Sequence, residues 1–188
     1  MKERMPMIAR DAMDDAQRQA ADALIAGPRK GVKGPFVALL RSPELMDRLQ
    51  RVGEYLRFGS SLEARLNEFA MAVVAREWTN HFEWTVHAAL AAKAGVARDT
   101  LEAVREGRRP AGMAEDEALV FDFVHEVLRN KGVSDATYER TVKRLGERGL
   151  MDLMGLVGYF VTICMVMNVA HAPAPEDPSV TPMTSYPL

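Results

Sequence analysis

The sequence predicts an all-α fold in a single domain. Apolar residues recur at helical spacing through most of the chain, and the breaks between those runs carry helix start and stop chemistry, with no alternating strand pattern in competition. Size agrees: 188 residues at 48% hydrophobic content are enough to bury one sizeable core.

Each element has its own justification. Residues 11–25 form an Ala-rich helix that stops at Gly27-Pro28. Residues 27–35 hold three glycines, two prolines and three basic residues, which reads as a loop. Ser42, Pro43 and Glu44 supply an N-cap, a first-turn proline and a carboxylate matched to the helix dipole, for a helix reaching about residue 58. Ser60 and Glu63 have capping-box spacing ahead of a helix through Leu66, Phe69, Ala70, Val73 and Val74, which also carries Glu68. Trp78-Thr79 marks a break, because Thr79 and Asn80 prefer caps to helix interiors. A helix then runs over 81–94 and stops at Gly95, and further helices are expected at 99–106, 114–130, 134–147 and 150–170, with Gly149 separating the last two. From His171 onward, five prolines in eighteen residues predict an irregular tail. The organisation is thus an N-terminal helix and loop (1–33), a helical core (34–171) and a tail (172–188).

Composition narrows the function classes. A net charge of -2, with 24 basic and 26 acidic residues spread along the chain, offers no footprint for nucleic acid or an anionic membrane. The single cysteine, Cys164, excludes an intrachain disulfide, a CxxC pair and a thiolate metal cluster, and the chain reads as cytoplasmic. Its setting in an apolar run points to a buried, inert thiol. Residues 1–10 lack the apolar run of a secretion signal. The stretch 150–170 is long enough to span a bilayer, but Asp152 and the lack of flanking basic and aromatic anchors favour a helix buried in the core or in a subunit interface.

The densest acid-base chemistry lies between Glu68 and His87. Asn80, Glu83 and His87 are spaced by three and four residues and share one helix face. Glu68 precedes His87 by nineteen residues, so a turn between two helices can bring its carboxylate to that face. A histidine beside carboxylates moves protons near neutral pH. Three readings stay open on spacing alone: ordinary helix pairing, an acid-base pair, and a divalent-metal site drawn from Glu68, His81, Glu83 and His87. Trp78, Phe82 and Trp84 read first as packing and second as pocket walls. Arg76 is the anion-binding candidate, with the cationic loop Arg29, Lys30 and Lys33 read as solvated.

Four motifs carry a resemblance to a known family: Gly34–Leu45 (G-P-F-x-x-L-L-R-S-P-E-L), Ser60–Arg76 (S-x-L-E-x-R-L-x-E-F-A-x-x-V-V-A-R), His81–Val96 (H-F-E-W-x-x-H-x-x-x-A-x-x-A-G-V) and Gly149–Phe160 (G-L-M-D-L-M-G-L-V-G-Y-F). The chain resembles the carboxymuconolactone decarboxylase family over about 140 residues, and E-W-x-x-H is the most specific part. The resemblance implies an alkylhydroperoxidase-like helical domain. The family's peroxidase branch places a cysteine pair where this chain has Asn80 and Glu83, so thiol peroxidase chemistry is disfavoured. The decarboxylase branch is the better match and implies a cofactor-independent lyase, a decarboxylase or related isomerase in aromatic-acid breakdown, acting on a small anionic organic substrate. His87, Glu83 and Glu68 are the implied catalytic residues; His81, Arg76, Asn80 and Trp84 are candidates for substrate binding. No metal and no cofactor are expected, and no nucleic-acid or membrane partner. Family likeness also implies a homo-oligomer, a trimer or hexamer. The alternative is the same scaffold without peroxidase chemistry, acting as a metal-binding or non-catalytic oligomeric ligand-binding protein.

Overall fold

A computed structural model describes residues 2–184; the last four residues of the expected tail lie outside the described residues. Among the described residues the regular structure is entirely helical: α1 (Asp15–Ala26), α2 (Pro35–Leu39), α3 (Pro43–Glu54), α4 (Ala64–Glu77), α5 (His81–Lys93), α6 (Arg98–Arg105), α7 (Glu115–Asn130) and α8 (Asp135–Ala170), with a 3-10 turn at Arg10–Ala12.

Helix α4 is the centre. Leu66, Phe69 and the unbroken run from Ala70 to Ala75 are all buried, so it is apolar around its whole circumference, as expected of a helix enclosed by others. It packs against α5, α7 and α8. Its end explains how α5 folds back on it. Thr79 adopts φ 46°, the Thr79 N–H donates to Arg76 O, and the Asn80 N–H donates to Ala75 O, which is the Schellman pattern. A β-branched residue in that region is strained, so the turn is held by its surroundings. Asn80 then caps α5, its side chain accepting from the Glu83 N–H at 2.8 Å. The expected break therefore lies where the sequence places it.

Several boundaries differ from expectation. Helix α1 begins after Asp14, which forms a reciprocal capping box with Gln17, so Asp11 falls in the preceding 3-10 turn. The loop at 27–35 ends in an additional short helix, α2, launched from Gly34 at φ 57° with Pro35 in its first turn. Ser42 makes no side-chain cap, and α3 ends at Glu54 before a π-helical turn over Tyr55–Gly59. The Ser60/Glu63 box does not form, because Glu63 itself is the α4 N-cap and makes no side-chain cap bond. Neighbouring Ser61 instead donates its N–H and hydroxyl to Asp152 Oδ2, both at 2.8 Å, and Tyr55 donates to Oδ1 at 2.8 Å.

The two helices expected at 134–147 and 150–170 are both present within Asp135–Ala170; the backbone leaves the helical region at Gly146 (φ 72°, ψ 172°) rather than at Gly149. The C-terminal part of α8 is core: Leu153, Leu156, Val157, Phe160, Ile163, Cys164 and Met167 are buried. Helix α8 is, among the described residues, the one helix long and apolar enough to cross a membrane, and half of its most apolar stretch is buried inside the fold. The tail is irregular, but it is held down. Trp84 Nε1 donates to Thr181 O at 3.0 Å, Arg76 to Thr184 O at 2.7 Å, and Met183 is buried.

Candidate active site

Helices α4 and α5 supply the central array. Glu68 sits on α4 two and a half turns before its end, and His87 on the facing side of α5, so the α4–α5 turn brings together residues far apart in sequence. Glu68 Oε2 lies 2.6 Å from His87 Nδ1, and Glu83 Oε2 lies 3.0 Å from Nε2. His87 is buried at 2% exposure and Glu83 at 4%. Phe160 meets the imidazole edge-on, with ring centroids 5.0 Å apart. Arg57, on the π turn after α3, reaches Glu68 Oε1 at 3.8 Å.

The electrostatics favour a proton on the ring. Burial alone lowers the affinity of His87 for a proton, but the hydrogen bonds and charges of Glu68 and Glu83 outweigh it and hold the pKa above the ordinary histidine value. When protonated, the ring donates from both nitrogens, one to each carboxylate.

A cavity of about 370 Å³ opens against this array, within the range of small-molecule sites. Glu83 and His87 form one wall; Phe36, Phe82, Val86, Tyr159, Phe160 and Ile163 supply apolar surface; Arg29, Lys33 and Arg57 bring positive charge. Glu68 stands behind His87, away from the cavity.

The four residues expected to bind substrate lie elsewhere. Asn80 is buried and committed to the α5 cap and to Asn168 Oδ1 at 2.9 Å. His81 is exposed at the start of α5, and its carbonyl accepts from Thr85. Arg76 is buried under the tail through Thr184. Trp84 is turned toward the tail, where its Nε1 donates to Thr181 O. None of the four lines the cavity. Cys164 is also buried, with its thiol pushed well up by burial and then by the charge of Glu83. Among the described residues no group of three histidine, cysteine or carboxylate side chains is arranged to hold a metal ion.

Sequence reading missed Arg57 and Tyr159 as cavity residues and took the Arg29 loop as solvated. Arg57 reaches the cavity through the π turn, which no periodicity announces. Tyr159 had a signal in the Gly149–Phe160 motif. For Arg29 the signal was the glycine-rich loop itself, which folds back to cover α5.

An all-helical domain with a buried carboxylate–imidazole–carboxylate array against a ligand-sized cavity is the class that this fold and site define. A profile of the carboxymuconolactone decarboxylase family matches residues 43–126, so this segment is similar to that family. The match takes in Glu68, Glu83 and His87 and leaves Arg29, Lys33, Tyr159 and Phe160 outside it. No curated protein matches the chain significantly.

Proposed function

We propose that the protein is a cofactor-independent lyase, a decarboxylase or related isomerase, acting on a small anionic, ring-derived acid. The observation that carries this reading is His87 held between Glu68 and Glu83 at the wall of a cavity that also presents cationic side chains. In such a reaction the C–C bond to a carboxylate breaks, carbon dioxide leaves, and the electron pair enters an extended enolate conjugated with a ring carbonyl. A proton must then reach the ring carbon. The imidazolium of His87 is the proton store, Glu83 is the cavity-facing group that takes a proton from it and delivers it, and Glu68 fixes the ring from behind. Positive charge in the wall stabilises both substrate and enolate.

Catalysis of this kind is tested with purified protein and a panel of lactone carboxylates, following carbon dioxide release and loss of ultraviolet absorbance. Turnover of at least one compound, reduced by about 10²-fold or more in His87→Ala and Glu83→Gln, is expected for loss of a general acid-base group. Absence of turnover across the panel, or turnover indifferent to His87→Ala, sinks the reading.

The same reading places the protein in the cytoplasm as a homotrimer or homohexamer. Its support is the outer face of α8, where Met151, Met154, Met165 and Val169 are exposed along one side of the helix. Light scattering that returns a monomer mass at micromolar concentration removes the oligomer.

A further inference from the structure

We infer that Arg29 and Tyr159 form a carboxylate subsite in the cavity wall, and that Gly53 is the residue that makes room for it. The inference rests on reading this cavity as the substrate site, though not on lyase chemistry. Of the three cations around the cavity, Arg57 is drawn to Glu68 at 3.8 Å and Lys33 is exposed. Arg57 also leaves its Nε buried without an acceptor, but Arg29 has two such donors. The Arg29 guanidinium lies 4.5 Å above the Phe36 ring, and its Nε and Nη2 are buried with no acceptor. A guanidinium carries five fixed donors in a fork that matches a carboxylate, and leaving buried donors unsatisfied is costly. Burial accordingly pulls the Arg29 proton affinity down, with the Tyr159 oxygen among the groups that support it.

Tyr159 stands beside Arg29. Burial pushes its phenol up from the ordinary value, which keeps the hydroxyl protonated and able to donate. Gly53 explains how both fit. It is buried inside α3, where glycine costs about 1 kcal/mol against alanine. A Cβ there would overlap the Tyr159 hydroxyl and fall 2.8 Å from Arg29 Nη2. A helix-interior glycine that weakens its own helix is thus matched to the space these two donors occupy.

The ligand class follows from the walls. Phe36, Phe82, Phe160 and Ile163 give apolar, largely aromatic surface to the cavity that Arg29, Glu83 and His87 also line. The site takes a flat ring bearing a carboxylate, and in a decarboxylation the carboxylate at Arg29 is the one the product keeps.

The test uses benzoate and its uncharged isostere benzamide, titrated into the full-length protein and followed by NMR chemical shifts, with thermal melts of every variant. Benzoate is expected to bind saturably and at least 10-fold more tightly than benzamide. Arg29→Gln should weaken benzoate by about 10-fold or more, and Tyr159→Phe and Gly53→Ala by less. Equal binding of the two probes, no benzoate binding up to 50 mM, or an Arg29→Gln affinity within two-fold of wild type overturns the subsite. Benzoate lost in Arg29→Gln while no lactone is turned over preserves the subsite and removes the lyase; the reverse pattern removes the subsite alone.

Discussion

Replacing Glu68 by Gln removes one negative charge and the 2.6 Å acceptor at His87 Nδ1 while keeping side-chain length. A hydrogen bond to a charged group contributes about 1.5–3 kcal/mol, and the Glu68 side chain is only 16% exposed, so solvent replaces little of it. The imidazolium should therefore bind its proton about 10- to 100-fold less tightly, since about 1.4 kcal/mol is one decade. A pH titration of the His87 ring resonances in isotopically labelled protein measures this directly. A stability consequence accompanies it. The His87 proton affinity is raised in the folded state, so its contribution is complete below the unfolded value of about 6.5 and is lost as pH rises through the folded value. The thermal stability gap between wild type and Glu68→Gln should thus be widest just below about 6.5 and shrink as pH rises. A His87 midpoint unchanged in Glu68→Gln refutes the array as an electrostatic unit.

Other substitutions probe the frame. Asp152→Ala removes the acceptor of Tyr55 and of both Ser61 donors and should cost about 2–3 kcal/mol, less than a fully buried network because Tyr55 and Ser61 border solvent. Burial raises the Asp152 pKa, but the Ser61 and Tyr55 bonds and Arg148 lower it further, so its stabilisation is present above about 3.9 and fades as pH falls through the folded value; denaturant melts at pH 7 and pH 3 should show the deficit shrinking in acid. Thr79→Gly relieves a β-branched residue at φ 46° and should stabilise by up to about 1 kcal/mol after the entropy of glycine is counted; a lower melting temperature contradicts the strain. Trp84→Phe removes the bond to Thr181 and should speed hydrogen exchange and proteolysis across residues 172–184 while leaving global unfolding nearly unchanged.

Much of this was legible in the sequence because local chemistry decided it. Asn80 is a cap by residue type, and the Trp78–Asn80 break and the i,i+4 pair Glu83/His87 follow from position along a helix. The Glu68–His87 bond was legible as a possibility that required the chain to turn back, which the Schellman turn achieves. Other features depend on tertiary context. Ser60 and Glu63 have ideal spacing for a capping box, yet the buried Asp152 draws in Ser61, ninety-one residues away from it. The kink falls at Gly146 rather than Gly149, because Gly149 is buried within the helix. Arg76 looked closer to the site than Arg29 only because sequence distance stood in for spatial distance, and the tail covers the former while the loop delivers the latter.

The Glu68–His87–Glu83 array and the rest of the cavity wall come from separable parts of the chain. Glu68, Glu83 and His87 occupy the two-helix unit α4–α5, whereas Arg29, Lys33 and Phe36 arrive from the segment before α3 and Tyr159 and Phe160 from α8. Substitutions in those outlying segments change the cavity lining, and of the residues named only Phe160 packs on the His87 ring. Exchanging residues 27–36 would consequently alter the cationic and aromatic lining of the cavity while the α4–α5 pair keeps its own sequence.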